Sequence, residues 1–243
     1  VTFYRGLELF TDGVYAEART LFVKSIKENK DATYTARATF WKAETEYVLS
    51  SFNEALLTFK QFEGMKEAKV TPEFAHINYN IAYCYFKQKE YEQAGNYFQN
   101  FINQNTSDKV RLNDSYLRLG DSRFVTSKYW PAMDAYNKAI ELKSIDADYA
   151  AYQKAISYGF VSKNDKKIED FTKFLQNFKN SQYRDDVLFE LANTYFAVGN
   201  TNEALKIYDQ LLAEFKNGSF ASKAVLKQGL IYYNTNKTDL AIA

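Results

Sequence analysis

Small, aromatic and polar positions recur along this chain in a fixed order. In "YEQAGNYFQNFINQ" (91–104), Ala94, Phe98 and Phe101 stand four and three residues apart, while polar residues fill the positions between them. That spacing places them on one face of an amphipathic helix. The stretch before it, "TPEFAHINYNIAYCYFKQ" (71–88), predicts another helix, with Thr71 as N-cap and Pro72 at the first helical position, where a missing N–H is harmless. The two helices form a unit, and the chain repeats it.

The Ala at the heart of the second helix recurs as Ala18, Ala55, Ala94, Ala132, Ile168, Ala204 and Ala241, in steps of 37, 39, 38, 36, 36 and 37 residues. A small residue precedes it by 12 positions: Gly6, Ala43, Ala82, Gly120, Ala192 and Gly229. In the fifth copy, matching Ala155 to Ile168 requires 13. An aromatic follows the heart residue by four: Phe22, Phe59, Phe98, Tyr136 and Tyr208, whereas the fifth copy offers Thr172 in that register, with Phe171 beside it. Three columns in phase over six intervals define a repeat array. The units fall at about 1–31, 32–69, 70–107, 108–145, 146–181, 182–218 and a shortened 219–243. Breaks within the helix pairs are expected near 11–13, 50–51, 88–90, 127–129, 163–165, 198–200 and 235–237. A small residue lets two helices approach, and the ring one turn later fills the gap. Since one pair cannot bury its aromatic face alone, stability comes from stacking neighbours.

These columns resemble the tetratricopeptide repeat. Ala82, Tyr85, Ala94 and Phe98 in one unit, and Ala192, Tyr195, Ala204 and Tyr208 in another, carry the family's marks, and the likeness runs the length of the chain. Glu46 and Arg123 depart from it at the Tyr position. The resemblance implies an all-α, right-handed solenoid of about six and a half antiparallel helix pairs, read as a single domain over 1–243. Units longer than the usual family repeat look most like those of bacterial envelope proteins, which implies a periplasmic or outer-membrane-associated setting, with a cytoplasmic one as the alternative. The chain starts inside a first helix and stops early in a second, where Leu240, Ala241 and Ile242 have nothing to cover them. This reads as a fragment of a longer array, with Leu230 and Tyr233 more exposed than their counterparts in the middle units.

Composition narrows the rest. Two Pro and nine Gly among 243 residues argue for helices joined by short turns. Lys and Arg number 31 against 30 Asp and Glu, with no basic cluster, so a nucleic-acid partner is not expected. No apolar run is long enough to span a bilayer. One His and one Cys exclude a His- or Cys-based metal cluster. The phosphate-loop, nucleophile-elbow and zinc-protease motifs are missing from the sequence. No enzymatic activity and no cofactor are therefore expected. Cys84, between Tyr83 and Tyr85, reads as a buried apolar filler.

The remaining candidate is the groove that the first helices line in the resembled family. Carried over from the positions flanking the small residue, it comprises Arg37, Phe40, Glu44, His76, Tyr79, Tyr83, Tyr152, Phe189 and Asn193. Aromatics between charges suit a protein or peptide partner. Stacked rings suit a glycan as the alternative, and rings at helical spacing also suit the interhelical core. Oligomeric state is not written in these patterns.

Overall fold

The computed structural model describes residues 2–104, 106–143, 146–237, 239 and 241. Among them the regular elements are thirteen α-helices and two 3₁₀ segments, with no strand. The helices are α1 (Thr2–Thr11), α2 (Tyr15–Glu28), α3 (Ala32–Val48), α4 (Phe52–Gly64), α5 (Ile77–Lys87), α6 (Tyr91–Asn103) and α7 (Lys109–Val125). They continue as α8 (Tyr129–Glu141), α9 (Ala147–Phe160), α10 (Asn164–Asn177), α11 (Arg184–Ala197), α12 (Thr201–Glu214) and α13 (Ala221–Asn234). The chain divides into two compact units, Val1–Ser127 and Lys128–Ala243. Within each, helices consecutive in sequence pack side by side as an all-α stack of repeats. No described helix is long and apolar enough to cross a membrane.

One device sets the turn in each repeat. Gly13, Ser50, Lys89, Ser127, Ser162 and Gly199 are each the middle residue of a three-residue break, and each has φ between 57° and 81°. The following N–H reaches back five residues: Val14 to Leu9 O at 2.8 Å, and Ser51 to Glu46 O, Glu90 to Tyr85 O, Lys163 to Tyr158 O and Asn200 to Tyr195 O, each at 2.9 Å. The left-handed residue itself bonds back three, as Ser50 N–H does to Tyr47 O at 2.9 Å. This is the Schellman arrangement, which satisfies carbonyls that a helix end leaves open. Within each unit, so short a turn returns the next helix antiparallel.

The heart residue stands five positions after each left-handed residue. Ala18, Ala55, Ala94, Ala132 and Ala204 are fully buried, as are the rings of Phe22, Phe59, Phe98, Tyr136 and Tyr208 four residues later. Burying each ring stabilises the stack by about 1.5–3 kcal/mol. A Cβ built on Gly6 would lie 2.7 Å from Cε1 of Phe22, so the first repeat has no room for even a methyl group there. Phe40 is a correction to the groove reading. It is 5% exposed, and its ring centroid lies 5.4 Å from that of Phe59 and 5.3 Å from that of Phe62, which makes it core.

The fifth repeat is in register, contrary to the sequence match. Five positions after Ser162 stands Lys167, not Ile168, and its N–H bonds Lys163 O at 3.0 Å as the heart Ala does elsewhere. The aromatic of this repeat is therefore Phe171, fully buried, while Thr172 faces solvent. The break moves two residues earlier, since α9 ends at Phe160 and α10 begins at Asn164. Lys167 fits because Gly159 faces it: a Cβ there would lie 3.4 Å from Lys167 Cδ. The ammonium pairs with Glu190 Oε2 at 2.8 Å and lies 5.6 Å from the Phe171 ring centroid.

Two further departures have local causes. The helix expected from Thr71 begins as a 3₁₀ segment over Pro72–His76, with α5 following from Ile77. The Thr71 hydroxyl donates to Ala68 O at 2.6 Å and does not cap. Glu46, at the Tyr position, is buried and accepts from Arg19 Nη2 at 2.9 Å, Lys42 Nζ at 2.9 Å and the Thr58 hydroxyl at 2.7 Å. Burial opposes its charge, yet these bonds hold its carboxyl below the ordinary value. Leu230 and Tyr233 are 43% and 66% exposed, where Tyr83 and Phe86 are half-buried. Leu240 and Ile242 lie outside the described residues.

Lys89 carries the left-handed penalty of a side chain at φ 63°, about 1–2 kcal/mol, partly offset in any glycine replacement by glycine's larger conformational freedom. Denaturant unfolding of Lys89→Gly should show stability raised by about 0.5–1 kcal/mol. A loss of stability would mean that the side chain at this turn contributes contacts beyond backbone geometry.

Candidate functional site

The Schellman turns fix which side of each first helix faces its partner helix and which stays accessible. In the first unit, accessible positions of α3, α5 and α7 converge on a pocket of about 270 Å³. It is lined by Glu44 and Tyr47 of α3, Tyr79, Asn80 and Tyr83 of α5, and Arg111 of α7. Glu44, Tyr79 and Tyr83 were expected in the groove. Tyr47, Asn80 and Arg111 were not.

Polar bonds hold the rings in place. The Tyr79 hydroxyl donates to Asp114 Oδ2 at 2.9 Å, and the Tyr83 hydroxyl donates to the same oxygen. Their centroids are 5.0 Å apart edge to face, and both rings rest on Phe98, at 6.2 and 5.3 Å. Tyr47 meets Tyr83 at 6.4 Å. The Asn80 side-chain amide donates to Glu44 Oε1. Arg111 pairs with Asp108 Oδ2 at 2.5 Å, and its guanidinium carbon lies 5.7 Å from the Tyr79 centroid.

Burial pushes the Glu44 carboxyl up to about 7, against the opposing charge of Arg111. Burial also raises the Tyr47 phenol to about 12, and raises those of Tyr79 and Tyr83, with Asp114 adding to both of the latter. Cys84, buried behind the pocket wall, is held at about 12 by burial and then by Glu44, so it stays a thiol.

The other expected residues are elsewhere. Arg37 Nε donates to Glu73 Oε1 at 2.8 Å, an oxygen that also accepts from Trp41 Nε1 at 3.0 Å. The Arg37 guanidinium also covers the Phe3 ring at 5.0 Å. It is a tie between elements of the fold. His76 is half-buried at the end of the 3₁₀ segment; burial, then the Arg111 charge, lowers its pKa. In the second unit, Tyr152 and Asn193 line an opening of about 520 Å³ together with Ile156, Phe160, Lys167 and Glu190. Tyr152 lies parallel to Tyr183, centroids 5.4 Å apart at 9°, and Asn193 Oδ1 accepts from the buried Tyr208 hydroxyl at 2.7 Å. Phe189 lies outside that opening, stacked on Phe220 at 4.8 Å.

Two stretches of the chain match models of the tetratricopeptide repeat, residues 78–106 and 189–243. The chain carries tetratricopeptide repeats. The C-terminal part of a tetratricopeptide-repeat protein from Cytophaga hutchinsonii has a similar structure, with a TM-score of 0.76 at 16% identity, over 98% of this chain and 91% of that one. RapI in its apo form gives 0.72 at 16% identity, over 93% and 67%. YrrB, described as a tetratricopeptide-repeat protein with an unusual peptide-binding site, gives 0.64 at 18% identity, over 84% and 96%. No curated protein compared with this chain matches it. At these identities the likeness establishes a shared fold. Tetratricopeptide repeats are in general modules for protein interaction.

The Glu44 carboxyl gives a pH test. Its folded-state value lies above the ordinary carboxylate value, so the folded state holds its proton longer than the unfolded chain. Folding stability then falls as pH rises from about 4.5 to about 7, and the cost is fully present above that. Thermal melts of the wild type and Glu44→Gln at pH 5 and pH 8 should show the variant gaining on the wild type at the higher pH. A difference that does not change with pH would contradict the raised value.

Proposed function

We propose that this protein is a non-catalytic interaction module that holds a segment of a protein partner along the first helices of its repeats. The observation that carries the reading is the pocket formed by Glu44, Tyr47, Tyr79, Asn80, Tyr83 and Arg111, to which three successive first helices contribute. Its rings are pre-positioned by Asp114 and Phe98, so little side-chain freedom is lost on binding. The peptide-binding site named for YrrB supports the same use of the fold. Glycan binding is the weaker alternative. Tyr152 and Phe189 have one ring face each occupied by Tyr183 and Phe220, which removes surface a sugar would stack on. A place in the bacterial cell envelope belongs to this proposal on the strength of unit length, and fractionation of cells that produce the protein tests it.

The binding test selects peptides from a displayed library on the intact chain and then compares variants. Tyr79→Leu should weaken capture by about 1–3 kcal/mol. Leu57→Asp, on α4 at a position 72% exposed, should leave it unchanged. The opposite pattern, in proteins whose melting confirms folding, would move the binding face to the second helices.

A further inference from the structure

The pocket of the first unit contains a carboxylate, Glu44, that feels the charge of Arg111 but makes no ion pair, although the charges around it are paired. Arg111 is neutralised by Asp108 at 2.5 Å. Arg118 lies 3.4 Å from Asp114 and 2.5 Å from Asp121. Arg37 is bound to Glu73. Glu44 accepts a bond from the neutral amide of Asn80, and no cation lies within ion-pair distance of it among the described residues. A half-buried carboxylate held this way is expensive to keep charged, as its raised pKa attests.

The walls suit the missing charge. Tyr47, Tyr79 and Tyr83 line the pocket together with Glu44; the rings of Tyr79 and Tyr83 meet edge to face at 5.0 Å, and those of Tyr47 and Tyr83 at 6.4 Å. The hydroxyls of Tyr79 and Tyr83 are committed to Asp114, so ring surface is what these two residues offer a guest. Ring faces attract ammonium and guanidinium groups, and the chain's own Arg111 already lies against Tyr79 at 5.7 Å. A volume of about 270 Å³ takes one long side chain.

We propose that this pocket receives the cationic side chain, lysine or arginine, of the protein segment bound along the first helices. The inference rests on the interaction reading given above. An aliphatic or acidic side chain would leave Glu44 covered with no counter-charge, whereas a cation supplies the ion pair and uses the rings.

An NMR titration of the intact, isotope-labelled chain tests it, with n-butylammonium, n-butylguanidinium and 1-butanol as probes at constant ionic strength. The two cations should give saturable shifts at the Asn80 side-chain amide and at residues near Tyr47 and Tyr83, with 1-butanol at least about tenfold weaker. Glu44→Gln should weaken the cations by about tenfold and leave 1-butanol unchanged. Equal binding of cation and alcohol to the wild type would overturn the proposal, as would cation binding that survives Glu44→Gln. The comparison of probes on the wild type decides even where the variant is poorly folded. A cation preference combined with peptide capture that ignores Tyr79→Leu keeps the pocket and removes the interaction surface. Capture lost in Tyr79→Leu with no cation preference does the reverse.

Discussion

The structure depends on one kind of contact within its helix pairs: a ring from the second helix resting where the first helix carries almost no side chain. Gly6 and Phe22 show it most sharply, since a single methyl on Gly6 would lie 2.7 Å from the ring. Elsewhere Ala43, Ala82 and Ala192 are fully buried, as are the rings of Phe59, Phe98 and Tyr208 in the same repeats. The contact fixes both the separation of the two helices and their register, because the ring can enter only one turn after the heart residue. The left-handed turn residue, five positions before that heart, delivers the second helix already in phase. Turn and contact thus specify the same geometry independently, which makes the repeat tolerant of local change.

That tolerance is visible in the fifth repeat. A lysine stands at the heart, yet the helix pair keeps its turn, its bonding and its buried ring. A compensating change four residues after the small position explains this. The residues there are Phe10, Tyr47, Phe86, Phe124, Gly159, Phe196 and Tyr233, aromatic in each copy but one. The ring is missing in the repeat where the heart gained a long side chain, and Lys167 occupies the space Gly159 leaves open. Glu190 supplies its counter-charge. Function draws on the same economy. Ring contacts consume one side of each first helix and leave the positions beside the small residue accessible, so neighbouring repeats can gather side chains into one pocket.

The fold was legible because its determinants are local and periodic: small residue, turn, heart and ring recur within some twenty residues of one another. The fifth register was misread because an apolar match favoured Ile168 over Lys167; the 13-residue offset, Phe171 beside the aromatic position and the loss of the ring at Gly159 all signal Lys167. The pocket was partly legible. Tyr79, Tyr83 and Glu44 flank the small column directly, whereas Tyr47 and Arg111 belong to other turns of their helices and reach the opening through long side chains. Phe40 occupies the same column as Tyr79 but lies in the core, although Phe98 and Phe101 meet Tyr79 as Phe59 and Phe62 meet Phe40. Tyr79 instead has a hydroxyl that must reach a polar partner, and Asp114 of the next repeat provides one. Column position alone does not separate these two rings; the phenol oxygen does.

A double-mutant cycle between Gly6 and Phe22 measures the central contact directly. Gly6→Ala should cost about 1–3 kcal/mol in the wild type through overpacking, and most of that cost should vanish once Phe22→Leu has removed the ring. A coupling of at least about 1 kcal/mol is the predicted result. Additive effects, with Gly6→Ala equally damaging beside leucine, would contradict the claim that the small column exists to admit the ring.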